Sequence, residues 1–178
     1  MLAERLKQER LQRAWTIAQL ADRSGVSRAM ISKVERGEAS PTAALLGRLS
    51  GAFGLTLSTL LARAESSGDR LSRVASQESW TDPSSGYVRR AVSPRAGGPL
   101  ELVSVLLPEG ARVSYPASAY AFLHHQVLVL AGTLRFREGA VDHVLHAGDC
   151  LEFGNPAECT YFNSGPGKCR YLVAVVRR

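Results

Sequence analysis

The stretch TIAQLADRSGVSRAMISKVERG, residues 16–37, carries the signals of two short helices separated by a tight turn. Thr16 and Ser27 stand where a hydroxyl can cap the first turn of each helix. The first helix is expected to end at Gly25, because glycine adopts the left-handed conformation without steric cost. The second is expected to reach Arg36. Two short helices joined by a glycine-containing turn predict a helix-turn-helix.

The second of these helices presents a polar face that suits contact with DNA. Ile31 and Val34 lie on one apolar stripe, which is expected to face a core. The residues on the opposite face or near the N-terminal end, where a recognition helix meets base edges, are Arg28, Ala29, Ser32 and Lys33. An arginine can bond a guanine at two atoms, a contact worth roughly 1 to 3 kcal/mol of discrimination. The alternative interpretation is a solvated basic face without a partner.

The pattern of apolar residues changes near residue 63. From Leu2 to Leu61 they recur at steps of three and four, which predicts a run of short helices. After Trp80 they alternate in short runs bounded by glycine and proline, which predicts a sandwich or barrel. The predicted strands are 87–92, 100–107, 123–130, 133–137, 141–146, 150–153, 159–163 and 169–176. The predicted layout is a helical domain at 1–62, a linker at 63–75 and a strand-rich domain at 76–178.

The composition excludes several classes of protein. The chain of 178 residues has 22 Lys and Arg against 16 Asp and Glu, a net charge of +6 that favours an acidic partner. The 3 cysteines cannot all pair in disulfides, which favours a cytoplasmic setting with free thiols. Every apolar run is shorter than the roughly 18 to 20 residues that cross a membrane, so no membrane contact is expected. Arg89 and Arg90 are interpreted as solvated strand ends.

Residues 6–61 resemble the Xre/Cro-type helix-turn-helix domain of phage repressors and many bacterial regulators, a five-helix, lambda-repressor-like fold. The motifs that carry the resemblance are Leu20-Ala21, Gly25-Val26-Ser27, Ile31-Ser32, Glu35-Arg36-Gly37, Pro41 and LLGRLSGAFGLTLSTLL at 45–61. The residues that the resemblance places toward bases are Arg28, Ala29, Ser32 and Lys33. Those that it places near phosphates are Thr16, Arg10 and Arg36. It also implies an ion pair between Arg10 and Glu35.

Two segments of the strand-rich part resemble the paired motifs of the cupin barrel, a double-stranded β-helix or jelly roll. They are HHQVLVLAGTLRF at 124–136 and LHAGDCLEFGNPAECTYFN at 145–163. The cupin pattern implies an acidic metal ligand at the position of His125, a histidine ligand at that of Cys159, and an asparagine at Asn163. The two histidines that open the family's ligand set are absent, and none stands between residues 118 and 121.

A metal site at this position is therefore one of two interpretations. Histidine and cysteine together suit a divalent ion such as zinc, with His125 and Cys159 as ligands and a third from Tyr120, His124 or a bound molecule. In the other interpretation, His125 and Cys159 are hydrogen-bonded residues of a pocket without metal. Neither interpretation identifies a catalytic residue, and the protein is not expected to be an enzyme.

Strand alternation predicts which side chains line the interior of the barrel. If His125 points inward, so do Leu123 and Val127, and Tyr161 and Asn163 share the face of Cys159. The predicted effector pocket is thus Leu123, His125, Val127, Cys159, Tyr161 and Asn163. The mixture is mostly apolar with a few polar groups, as in small-ligand sites. The alternative is that these side chains simply fill a narrow barrel.

Proteins with this order of domains resemble bacterial transcription regulators in which a cupin senses a metabolite. We therefore expect a homodimer that binds double-stranded DNA at an inverted repeat and responds to a small-molecule effector. Two alternatives remain open. One is a cupin-type metalloenzyme, an isomerase or dioxygenase, fused to a DNA-binding domain, and the other is a helix-turn-helix antitoxin.

Overall fold

The computed structural model describes residues 2–61, 70–94, 99–121 and 123–177. Its N-terminal part contains five helices, which are α1 (Leu2–Gln12), α2 (Ile17–Ser24), α3 (Arg28–Glu35), α4 (Ala43–Phe53) and α5 (Leu57–Leu61). The predicted caps are confirmed: the hydroxyl of Thr16 accepts from the Gln19 amide, and that of Ser27 accepts from the Met30 amide. Gly25 ends α2 with φ at +66°. Helix α3 stops one residue before the predicted Arg36.

The helices enclose a core of their own. Its largest fully buried side chains are Leu6, Leu20, Ile31, Leu46, Leu49 and Leu60. Ile31 and Val34 are each 2% exposed, so the predicted apolar stripe of α3 faces this core. The opposite side of α3 is thereby turned to solvent.

In the part of the chain that the structure describes, ten strands follow, together with two short 3₁₀ turns at Val74–Ser76 and Ala117–Ala119. The strands are β1 (Ser79–Thr81), β2 (Val88–Ala91), β3 (Leu100–Leu107), β4 (Arg112–Tyr115), β5 (Leu123–Ala131), β6 (Thr133–Glu138), β7 (Val141–His146), β8 (Cys150–Glu152), β9 (Cys159–Phe162) and β10 (Cys169–Arg177). The eight predicted strands are all present within one or two residues of their predicted bounds. The sequence patterns missed β1 and β4.

The strands form two antiparallel sheets that face each other. The larger has the order β1-β2-β3-β10-β5-β8, and the smaller has the order β4-β9-β6-β7. Long-range pairings such as β3 with β10 join segments more than sixty residues apart in the chain. Side chains from the inner faces of both sheets form the core of the barrel, and among them Val127, Leu134, Phe136 and Tyr171 are almost fully buried.

The helical part packs directly on the barrel through α4 and α5. A Cβ atom at Gly47 would lie 2.5 Å from Cδ1 of Tyr115, so only glycine allows α4 to approach β4 this closely. The carboxylate of Asp82 accepts a hydrogen bond from the Ala43 amide at 2.8 Å, at the start of α4. The carboxylate of Glu101 on β3 accepts from the Thr56 hydroxyl at 2.8 Å. Polar and steric contacts thus define how the two parts meet.

The predicted linker falls only partly within the described residues. Residues 63–69 lie outside them, and residues 70–75 are mostly exposed. The predicted domain limits 1–62 and 76–178 stay predictions.

Candidate functional site

The outward face of α3 is the first candidate site. Arg28, Ala29 and Lys33 are exposed, and Ser32 is half-buried beside them. The Ser27 cap fixes the first turn of the helix, and the buried side of α3 holds its orientation. These side chains therefore project from a rigid frame, as base contacts require. Their contact with DNA stays a prediction.

Two of the three residues predicted to lie near phosphates are also exposed. The Thr16 side chain accepts from the Gln19 amide at 3.1 Å and leaves this end of α2 open to solvent. Arg36 is paired with Glu38, with 2.6 Å between Nε and Oε1, and also contacts the Ser32 hydroxyl. The charge and hydrogen bonds of Glu38 raise the pKa of Arg36. A phosphate bound at Arg36 would have to compete with this surface pair.

Arg10 occupies a different position. It is 8% exposed, and its Nε and Nη2 atoms donate to the two carboxylate oxygens of Glu35 at 2.7 Å each. Its Nη1 donates to the Trp15 carbonyl at 2.9 Å. The implied ion pair with Glu35 is therefore present, and it ties α1 to α3. The predicted phosphate contact of Arg10 gains no support, since its donors are already committed inside the domain.

The second candidate site is a cavity of about 50 Å³ between the helical part and the open end of the barrel. Gly47 and Ser50 of α4 border it, as do Thr56 and Leu57 where α5 begins. Residues of the barrel supply the rest of the wall. The cavity has room for a few water-sized groups.

Three of the six predicted pocket residues line this cavity, namely Leu123, His125 and Tyr161. The other three do not line it, and their place in an effector pocket stays a prediction. Val127 has no exposed surface and packs in the core between the sheets. Cys159 is 1% exposed and lies on β9 away from the cavity wall. Alternation correctly placed all of them on the inner face, but it does not say how deep along the barrel a residue lies.

Asn163 braces a loop instead of contacting the cavity. Its Nδ2 donates to the carbonyls of Leu107 and Gly167 at 3.0 and 2.8 Å. Its Oδ1 accepts from the Gly165 amide at 3.2 Å. The side chain is 1% exposed, so these bonds satisfy its polar atoms inside the protein.

The sequence patterns missed the polar groups that dominate the cavity. Arg89 lines it together with the tyrosines Tyr87, Tyr115, Tyr120 and Tyr171. The interpretation of Arg89 as a solvated strand end was therefore wrong. A signal was available, because Tyr87 and Arg89 are two residues apart and share one face of a strand.

The Arg89 guanidinium is held at the boundary of the two domains. Its Nη2 donates to the hydroxyl of Ser58, on α5, at 2.6 Å. Burial alone would lower the pKa of Arg89, but the neighbouring Tyr87 and Tyr115 hydroxyls and the Glu101 carboxylate raise it above its ordinary value. The side chain is therefore a permanent cation beside the cavity.

His125 contributes an uncharged ring to the same wall. Its ring stacks on Phe153 at 5.4 Å between centroids and meets Tyr120 edge-on at 5.0 Å. Burial, followed by the positive charge of Arg89, lowers the pKa of His125 to about 4. The imidazole is thus neutral near pH 7 and acts as part of an aromatic wall.

Replacing His125 with glutamine is expected to make stability less sensitive to acid. Because its pKa is about 4 in the folded protein and about 6.5 when unfolded, the unfolded state binds more protons between these values. The stability that comes from burying His125 as a neutral ring is present above about pH 6.5 and is lost as the pH falls toward 4. Between about pH 7 and 5, wild type should lose about 2 kcal/mol more unfolding free energy than His125→Gln. Urea unfolding at the two pH values measures this difference.

The matched control is His146→Gln on β7, where the histidine is exposed. This variant should follow wild type at both pH values. A His125→Gln curve that also follows wild type would show that the imidazole is not buried in neutral form.

The zinc site predicted at His125 and Cys159 gains no support from the arrangement of ligand-type side chains. Within the described part of the chain, no group of three or more His, Cys, Asp or Glu side chains is placed to hold a metal ion. Burial raises the pKa of the Cys159 thiol to about 12, so without a metal ion this side chain is a neutral thiol near pH 7. The pairing of His125 and Cys159 at a metal ion stays a prediction.

These features define the class of the protein. It has a five-helix domain in which the outward face of α3 is exposed, followed by a cupin-type barrel with a cavity where the two parts meet. Residues 6–60 match the model of the helix-turn-helix family HTH_3, so this part of the chain is a helix-turn-helix domain of the Xre type.

A curated protein matches part of the chain. The chain is 40% identical over 65 residues to "HTH-type transcriptional regulator SutR" of Escherichia coli (strain K12). The match covers 36% of this chain and 36% of that protein, so it spans about a third of the length of the relative.

Solved structures extend the likeness in fold to the barrel. The crystal structure of an HTH_3 family transcriptional regulator from Vibrio cholerae superposes with a TM-score of 0.81 at 23% identity, covering 99% of this chain and 95% of that one. An RmlC-like cupin from Shewanella frigidimarina NCIMB 400 superposes with a TM-score of 0.50 at 16% identity, covering 62% of this chain and 92% of that one. The C-terminal part thus has the cupin fold. Among the described helices, none is long and apolar enough to cross a membrane.

Proposed function

We propose that this protein is a cytoplasmic, sequence-specific DNA-binding transcriptional regulator whose barrel binds a small-molecule effector. The observation that carries the proposal is the outward face of α3, in a domain that matches a helix-turn-helix family. Arg28 and Lys33 are exposed there, while the opposite side of the helix is locked into the core. A cationic helix face held in this way suits the major groove.

The regulator is proposed to act as a homodimer on an inverted repeat. One recognition helix reads only a few base pairs, and two related by a two-fold axis reach successive major grooves about one helical turn apart. An effector would act through the cavity, since Ser50 and Thr56 of the DNA-binding domain border it directly. The effector changes DNA affinity only if it binds the DNA-competent and incompetent arrangements with different affinity.

The sensor role is favoured over the metalloenzyme alternative. A cupin metalloenzyme needs several histidine or carboxylate ligands, and the described residues do not bring three together. The barrel instead presents a small cavity with polar groups at the junction with the DNA-binding domain.

Replacing Arg28 with alanine tests the base-reading role. An operator is first selected from a pool of random duplexes with the full-length protein. At fixed salt, Arg28→Ala is expected to bind this operator at least roughly 30-fold more weakly, because a bidentate contact with a base is worth about 1 to 3 kcal/mol and the dimer loses one in each half-site. Selectivity should relax at one base pair in each half-site. Fluorescence anisotropy with the selected operator and with single-base variants measures both effects.

The control is Arg170→Ala, which removes the same charge from an exposed position of the barrel. It should leave operator affinity within about twofold of wild type, because a distant charge is screened at ordinary salt. Unchanged affinity in Arg28→Ala would refute the base-reading role, and equal losses in both variants would leave only a general effect of charge.

A further inference from the structure

The wall of the cavity between the helical part and the barrel carries positive charge but no negative charge among the described residues. Arg89 contributes a full positive charge, and the lining residues in the described part of the chain include no aspartate or glutamate. The remaining polar groups are hydroxyls and the neutral imidazole of His125. Valines from β3, β4 and β10 supply apolar surface. Such a wall combines donors for an anion with room for a short hydrocarbon part.

The present partners of Arg89 are weak compared with an anion. Its Nη2 donates to the neutral Ser58 hydroxyl, and its other side-chain hydrogen-bond neighbour is the neutral Tyr87 hydroxyl. The nearby Glu101 carboxylate is held by the hydroxyls of Thr56 and Thr59 at 2.8 and 3.2 Å and does not line the cavity. A guanidinium bonds a carboxylate through two parallel N–H groups, and such charged bonds are about twice as strong as neutral ones. A carboxylate in the cavity would therefore be a better partner for Arg89 than Ser58 is.

We propose that the cavity binds a small organic carboxylate, with Arg89 as its counter-ion. This inference rests on the proposed function, because it names the chemical class of the effector. The apolar part of the molecule lies against Val105, Val173 and Val175, and Tyr161 offers a hydroxyl. The volume of about 50 Å³ limits it to a molecule of a few heavy atoms.

A carboxylate bound in this cavity would also affect the DNA-binding domain. Ser58 lies on α5, and Thr56 and Leu57 at the start of α5 border the cavity. A carboxylate that takes the Arg89 donor away from Ser58 removes a contact between barrel and helix. It therefore stabilises an arrangement of α5 different from that of the empty protein.

The test uses the full-length protein and a panel of short carboxylates: acetate, propionate, butyrate, lactate and pyruvate. The neutral amides of the same acids serve as matched probes, and sodium chloride keeps the ionic strength constant. Thermal unfolding and titration calorimetry measure binding. At least one carboxylate is expected to raise Tm and to bind, while its amide does not.

Three variants locate the site. Arg89→Gln should weaken binding of that carboxylate at least about tenfold, because it removes the charge that the anion needs. Arg90→Gln, one residue away on the same strand, should bind as wild type does, because neighbouring residues point to opposite faces. Ser58→Ala should bind more tightly than wild type, since it removes the competing hydroxyl and keeps the guanidinium. This third variant tests the proposal even where Arg89→Gln folds poorly.

Three results would overturn the proposal. The proposal fails if no carboxylate of the panel binds, if amides bind equally well, or if Ser58→Ala and Arg89→Gln both bind as wild type does. These measurements contain no DNA, so they are independent of the Arg28→Ala experiment. Carboxylate binding with no operator binding would refute the proposed function alone, and the reverse result would refute this inference alone.

Discussion

Glu35→Gln is expected to lower the unfolding free energy of the helical domain by about 3 kcal/mol, because it leaves the Arg10 cation buried without its carboxylate. Arg10 and Glu35 have side-chain exposures of 9% and 7%, and two hydrogen bonds of 2.7 Å join them. Glutamine keeps the size of the side chain, so the loss reports charge and not packing. Urea unfolding followed by circular dichroism of the helices measures it.

The control for this prediction is Glu38→Gln. Glu38 pairs with Arg36 at a similar distance, but both side chains are more than half exposed. Water and salt screen such a pair, so its removal should change stability little or not at all. The double variant Arg10→Met, Glu35→Leu should recover most of the loss, because apolar residues of similar volume replace buried pairs well. Similar losses in Glu35→Gln and Glu38→Gln would contradict the structural role assigned to Arg10.

Phe136→Ala is expected to destabilise the barrel by about 4 kcal/mol. Phe136 on β6 has no exposed surface, and its ring contacts those of Phe153 and Tyr161 at centroid distances of 4.6 and 4.9 Å. Alanine leaves a cavity between the two sheets that neither sheet can close without breaking strand pairs. Thermal or urea unfolding of the full chain measures the loss.

Phe162→Ala is the matched control, because Phe162 on β9 faces outward. It pairs across from Arg135 and lies under the Arg112 guanidinium at 4.7 Å, half-buried. Its removal should cost clearly less than that of Phe136, since the site opens to solvent. If the outward phenylalanine proved as costly as the inward one, the assignment of the inner face of the smaller sheet would be wrong.

The helical part and the barrel differ in how much of their structure the sequence patterns could predict. The helix-turn-helix could be predicted closely, because its signals act over one helical turn: Thr16 and Ser27 bond amides three residues away, and Gly25 closes α2 locally. The ion pair of Arg10 with Glu35, which are 25 residues apart, was predicted only from the family resemblance. Periodicity alone could not have paired them.

The cavity lining is the part of the site that the sequence patterns predicted only in part. Leu123, His125 and Val127 all point inward as predicted, yet only the first two reach the cavity. Alternation gives the direction of a side chain but not its position along the barrel. The surroundings of Arg89 come from Tyr87 two residues earlier and from distant segments, such as Tyr115 on β4 and Ser58 on α5, and only the first of these is visible from the sequence near Arg89.

By itself, the sequence determined the two-part architecture and the outward face of α3. Caps, glycines and apolar spacing act between residues close in the chain, so they can be recognised without knowledge of the fold. Only the tertiary structure decided which inward residues meet open space. That depends on how closely α4 packs on β4, through Gly47 against Tyr115, and on which groups from distant segments then surround the gap.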